Sequence, residues 1–219
     1  MRMLLVLSLA ACRGRFDEHP RVVDAFVSYR EAVLASAPLG YWRLGDPATP
    51  TDEITGAIAT LAGGCTAGVI GAIAGDPDTA FAFDGTCRIT LPTDYDFPGE
   101  QPFAIEAWLS TQPDDLFHLP FAREIRGSQD PIDGYGLVVA PLGFELERVV
   151  AGTNGKVGPV AFTPSSFHHV VAQYGGGELQ LFLDGALGDQ AADLRAADEI
   201  AAESLVGAAM PGNFYIGAL

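Results

Sequence analysis

The chain has 219 residues and a formal net charge of −16, a field that repels phosphate backbones and excludes a nucleic-acid partner while favouring a well-solvated surface and divalent cations. Its 48% hydrophobic content, 26 glycines and 15 prolines exclude a disordered chain and describe a turn-rich folded one. The length suits one β-sandwich preceded by a short leader.

Residues 1–12 read MRMLLVLSLAAC: a basic residue, a short apolar run and two alanines before a cysteine. This is the pattern of a bacterial secretion signal. Leu9-Ala10-Ala11-Cys12 also resembles a lipobox, in which cleavage precedes the cysteine and Cys12 carries a lipid. The apolar run, about eight residues, is too short to span a bilayer. The expectation is an exported protein, secreted or anchored in the cell envelope through Cys12, whose mature form lacks Met1 to Ala11. Residues 13–36 then form a polar linker and a short amphipathic helix over Val22 to Ser36, with Val22, Val23, Phe26, Val27, Val33 and Leu34 as its stripe and Pro38 ending it.

From residue 37 onward the sequence predicts strands. Tyr41 to Leu44 is the first, Asp46 to Gly75 is loop-rich, and Ala80 to Phe83 and Arg88 to Leu91 follow. Gln112 to Asp133 reads as a long loop. Tyr135 to Ala140 and Gly143 to Val150 read as a hairpin, and Asn154-Gly155 as a turn before Val157 to Phe162. The clearest signal is Phe167 to Gly185: Val170, Ala172 and Tyr174 alternate with His169, Val171 and Gln173, Gly175 to Gly177 supply a turn, and Leu179, Leu181 and Leu183 alternate in the second arm before Asp184-Gly185. Gln190 to Glu203 has Leu194, Ala197 and Ile200 at helical spacing. Asn213 to Ala218 is the last predicted strand. Many short strands with turn signals argue an all-β, antiparallel two-sheet sandwich.

The hairpin FHHVVAQYGGGELQLFLDG resembles that of laminin G-like, concanavalin A-like jelly-roll domains, W-H-V-V-x-x-Y-D-G followed by L-Y-V-D-G. YREAVLASAPLGYWRLGDP is similar to their opening strand, AFAFDGTCRITLP to their A-x-x-F-D-G segment, PFAIEAWLST to F-T-I-E-A-W and NFYIGAL to the late Y-I-G strand. The resemblance runs from about Tyr29 to Leu219 and implies a domain over residues 37–219. It places a strand at Phe103 to Ser110, with Phe103, Ile105, Ala107 and Leu109 on one face. It also implies that one more strand should follow Y-I-G and lie beside the first; since the sequence ends at Leu219, Tyr41 to Leu44 is expected to lack a neighbour, in a truncated product or with Val22 to Ser36 covering it.

Such domains often hold calcium through acidic residues near the first and closing strands. Asp46 and Asp52 match the first of these positions, whereas the closing G-x-I-D-E-V segment is absent; the other reading is acidic turn residues with no ion. The three cysteines are Cys12, Cys65 and Cys87. With Cys12 lipidated, Cys65 and Cys87 remain, flanking strands that the resemblance makes neighbours, and a Cys65–Cys87 disulfide is expected. His168 and His169 are adjacent on a strand and point to opposite faces, so they cannot share a metal.

Glycosidases of this fold carry E-x-D-x-x-E or E-x-D-x-E on one strand, and that pattern is absent. Glu145 and Glu147 share a face at i, i+2, where retaining hydrolysis would want two carboxylates about 5.5 Å apart; a solvated strand face is the plainer reading, and no catalytic residue is assigned. Trp42 and Trp108 lie in strand segments and are expected in the core. Tyr95, Phe97, Phe117 and Tyr135, in or beside loops, are the candidate platforms for sugar rings. The expected function is a non-catalytic exported module that binds polysaccharide, a cell-surface glycan or a protein. The alternatives are a glycoside hydrolase or lyase of the same fold, or an adhesive envelope domain without a small ligand.

Overall fold

The computed structural model describes residues 7–8, 28–45, 50–74, 76, 78–111, 117–126 and 131–208. In chain order the elements are β1 (Leu7–Ser8), α1 (Tyr29–Ala35), β2 (Tyr41–Trp42), β3 (Thr60–Ala62), β4 (Thr66–Ile70), β5 (Thr79–Ala82), β6 (Arg88–Leu91) and β7 (Phe103–Leu109). These are followed by β8 (His118–Arg126), β9 (Pro131–Ala140), β10 (Gly143–Val150) and β11 (Thr153–Val160). The last are β12 (His168–Gly175), β13 (Glu178–Leu183), β14 (Ala186–Ala192) and β15 (Ser204–Ala208). A seven-stranded sheet has the order β11-β10-β9-β8-β15-β6-β3 and a four-stranded sheet the order β14-β13-β12-β7. Two short pairs, β1-β2 and β4-β5, complete the described fold. Every described pairing is antiparallel. The described residues form an all-β, antiparallel jelly-roll sandwich with one short helix.

Period-two alternation builds the core. Phe103, Ile105, Ala107 and Leu109 on β7, Val170, Ala172 and Tyr174 on β12, and Leu179 and Leu181 on β13 are buried against Phe121, Leu137, Val139, Phe144, Leu146 and Val206 of the larger sheet. Each large side chain so buried contributes about 1.5–3 kcal/mol. The two turns of the small sheet have positive φ at both central residues, 62° and 78° at Gly176 and Gly177, 51° and 82° at Asp184 and Gly185. That geometry matches the strands' twist, and glycine reaches it without strain.

Several expectations change. β8 (His118–Arg126) and the first residues of β9 fall within Gln112 to Asp133, where a loop was predicted: β8 lacks clean alternation, because bulges at His118/Phe121 and Ile125/Arg126 break its register. Asn154 and Gly155 are paired with Val149 and Arg148 inside β11, and the turn falls at Ala151-Gly152. Gln190 to Glu203 forms no helix; β14 runs to Ala192 and Leu194 is exposed. The predicted helix shortens to α1, started by a capping box in which Ser28 and Glu31 satisfy each other's backbone amides. Val22 to Val27, Cys12, Asp46 and Asn213 to Ala218 lie outside the described residues. On one side Trp42 bridges to Asp52; on the other it pairs with Leu7, inside the leader expected to be removed on export, so a mature form without Met1 to Ala11 leaves that side of the first strand without this pairing. α1 packs beside the first strand, with Val33 on Tyr41.

Candidate binding surface

Side chains of the four-stranded sheet that alternate with the core positions form three rows on its outer face. Trp108 stands opposite His169. Glu106 stands opposite Val171, which faces Phe182, which faces Leu187. Gln173 faces Gln180, which faces Gln190. All are half-buried or exposed, so the face offers aromatic, imidazole, carboxylate and amide groups to solvent. Trp108 and His169 lie side by side, ring centres 5.0 Å apart and planes tilted by 36°. Gln173 Nε2 donates to Gln180 Oε1 at 2.6 Å, and Gln180 Nε2 donates to Glu178 Oε2 at 3.1 Å.

α1 closes one end of this face. Tyr29 presents its ring edge-on to Trp108, and its hydroxyl donates to Glu106 Oε1 at 2.9 Å. The same oxygen is 2.9 Å from His169 Nε2. Burial first, and the Glu106 carboxylate second, raise the Tyr29 pKa, so this phenol stays a hydrogen-bond donor. Trp108 was expected in the core. It lies on the outer face because Phe103, Ile105, Ala107 and Leu109 take the inward positions of β7.

His168 points the other way, as the alternation requires. Its Nδ1 is 2.7 Å from Asp184 Oδ2 and its Nε2 is 2.9 Å from the Thr163 carbonyl, so it pins the loop before β12 to the turn after β13. Burial alone would raise the Asp184 pKa, but hydrogen bonds from His168 and the His169 amide outweigh it and lower it.

The predicted loop platforms divide. Tyr95 and Tyr135 are core residues, at 2% and 6% exposure, and present no ring face to solvent. Tyr95 OH accepts from Trp42 Nε1 at 3.0 Å, and Tyr135 OH donates to the Tyr95 carbonyl at 2.5 Å. Phe97 is half-buried and stacked on Phe103, ring centres 5.5 Å apart. Phe117 is exposed at the start of β8. Loop position alone concealed that two of these rings close one end of the sandwich.

Asp52 is fully buried. Its Oδ1 accepts from the Tyr41 amide at 2.8 Å and from the Ile54 amide at 3.1 Å, and its Oδ2 accepts from Thr55 Oγ1 at 2.6 Å. These bonds make it the backbone cap of the turn that supports β2. Among the described residues no three His, Cys, Asp or Glu side chains gather as a cation site. Glu145 is 3% exposed and pairs with Lys156 Nζ at 3.1 Å, while Glu147 accepts from Asn154 Nδ2 at 3.2 Å. Cys65 and Cys87 form the expected disulfide, their Cα atoms 4.8 Å apart. No helix among the described residues is long and apolar enough to cross a membrane.

No protein-family model matches the sequence, and no curated protein matches it. Solved structures do. The binding domain of botulinum neurotoxin DC in complex with SialylT is similar with a TM-score of 0.58 at 10% identity, over 76% of this chain and 42% of that one. The receptor binding domain of botulinum neurotoxin D gives 0.55 at 11% identity, over 75% and 43%. Domain 4 of AbnA, a GH43 extracellular arabinanase from Geobacillus stearothermophilus solved with arabinotriose, gives 0.55 at 14% identity, over 75% and 81%. This chain thus spans less than half the length of the two toxin domains, and at such identities the likeness concerns the fold.

Proposed function

We propose that this chain is an exported, non-catalytic module that binds carbohydrate on the outer face of its four-stranded sheet. The observation that carries the reading is that Trp108 and His169, both half-buried, share one outer face with the Gln173–Gln180 pair, across the intervening row of Glu106, Val171 and Phe182. Sugar rings present C–H faces that pack on aromatic planes and hydroxyls that need both donors and acceptors. Trp108 and Phe182 supply the former, and carboxamides, each with two donors and an acceptor oxygen, supply the latter. That structures of similar fold were solved with arabinotriose and with SialylT supports a glycan partner.

The disulfide suits an oxidising compartment, and export with a lipid on Cys12 belongs to the same reading. A hydrolase on Glu145 and Glu147 is the weaker reading, because Glu145 is buried against Lys156. No calcium is assigned to this face; Asp52 is engaged in capping β2, and Asp46 lies outside the described residues. A glycan array read with and without chelator tests the reading: binding that survives chelator and is lost in Trp108→Ala supports it. Binding that disappears with chelator, or that is indifferent to Trp108→Ala, overturns it.

A further inference from the structure

We infer that the ligand of this face is an uncharged saccharide, excluding sialylated, uronic and sulfated glycans; the inference rests on the outer face being the binding surface. The observation is the distribution of charge. β7, β12, β13 and β14 contain no lysine or arginine. The carboxylates on or beside the face are Glu106 in the middle row, Glu178 at the end of the glutamine row and Asp184 in the adjoining turn, while Asp189, in register with Leu181, accepts from the Gly158 amide of the larger sheet; the basic group on the face is the His169 imidazole, 2.9 Å from Glu106.

The described cations are placed elsewhere. Arg43 pairs with Glu53 and Asp78, Arg123 with Asp94 and Asp96, Arg148 and Arg195 with Asp193, and Lys156 with Glu145. Arg88 lies on β6 of the other sheet. Arg30 lies on α1, which closes one end of the face, and Glu53 holds it at 2.5 Å. An acidic sugar docking here would shed water from its carboxylate or sulfate, meet Glu106 and Glu178, and find no lysine or arginine of the described residues opposing it, all within a protein field of formal charge −16. A neutral sugar meets no such penalty, and its hydroxyls match the alternating donors and acceptors of Gln173, Gln180 and Gln190. The same absence disfavours β-elimination of uronates, whose carboxylate must be neutralised as the α-proton leaves.

The test applies the full chain to an array of neutral, sialylated, uronic and sulfated glycans. Titrations follow with arabinotriose, cellotetraose, sialyllactose and trigalacturonate, at low and physiological salt. The expected result is binding of neutral glycans that is insensitive to salt and falls about tenfold in the double variant Gln173→Ala/Gln180→Ala, a loss of about 1.4 kcal/mol. Acidic glycans that bind as tightly, and more tightly at low salt where charges act over about 30 Å, overturn the inference; if the double variant weakens them too, the binding surface stands. If no glycan responds to the double variant, the surface itself is wrong and the inference falls with it.

Discussion

The guanidinium of Arg148 stands 4.1 Å from the centre of the Tyr174 ring. Arg148 belongs to β10 of the larger sheet and Tyr174 to β12 of the smaller, so this contact clasps the two layers. The same guanidinium donates to Asp193 Oδ2 at 3.1 Å, to the Arg195 carbonyl at 3.1 Å and to the Gly99 carbonyl at 2.8 Å. The segments carrying Gly99 and Ala197 are bridged to each other there. A buried charge with both terminal nitrogens engaged holds one end of the sandwich shut.

Arg148→Ala is therefore expected to cost about 3–5 kcal/mol, since it leaves Asp193 buried beside fewer donors. Replacing both partners, Arg148→Met with Asp193→Leu, should cost less than the single change. Urea unfolding of Arg148→Met, Asp193→Leu and their double variant measures this, and an additive double variant would refute the coupling.

Acid should loosen the same end. Burial pushes the Asp193 pKa up, but hydrogen bonds from Arg195 and Arg148 outweigh that and lower it below the usual carboxylate range. A pKa depressed in the folded state means stability that is present above the unfolded value of about 3.9 and lost as pH falls through the folded value. Unfolding free energy should decline below about pH 4, and Asp193→Asn should flatten that decline. An unchanged acid limb in Asp193→Asn would contradict the assignment.

Reducing the Cys65–Cys87 bond, or replacing both by alanine, releases a loop with a sequence separation of 22. The chain-entropy argument puts the loss at about 3 kcal/mol. Thermal unfolding with and without reductant reads it directly, and coincident transitions would count against it.

The turn glycines separate two effects. Gly176 has φ 62° with open space around its missing Cβ, whereas a Cβ at Gly177 would come within 2.5 Å of Leu194 Cδ2. Gly176→Asn should be neutral or stabilise by up to about 1 kcal/mol, through the unfolded chain. Gly177→Ala should destabilise at φ 78°. Equal effects at the two positions would show that the turn does not impose this conformation.

The sequence announced the central hairpin, because alternation on both arms and glycines at the turn agreed with one another. It announced β7 through its four inward apolar residues and the family resemblance, and the disulfide through that resemblance and the pairing of leftover cysteines. It misled where a local signal competed with a longer ladder. Asn154-Gly155 carries turn residues, but pairing with Arg148 and Val149 outweighs them and the chain reverses at Ala151-Gly152. The helical spacing of Leu194, Ala197 and Ile200 is incidental: Ala197 bridges Gly99, and the Ile200 amide donates to Asp96. Of the outer face, Trp108 was expected in the core, although Phe103, Ile105, Ala107 and Leu109 already fill the inward side of β7 and leave it on the other. The union of Trp108 and His169 with Gln173, Gln180 and Phe182 depends on strand register, which no single strand reveals.

The position of β15 sets the order in which this chain can be assembled. Its residues 204–208 lie between β8 and β6, so the larger sheet has no direct ladder joining its two parts before they dock. As the polypeptide leaves the ribosome, β6 with β3 and the run from β8 to β11 wait as separate pieces with one open side each. Contacts this distant in sequence favour folding in milliseconds to seconds, set mainly by the late arrival of a single short strand. Amide-exchange pulse labelling during refolding should find β8–β9 amides protected before those that join β8 to β15.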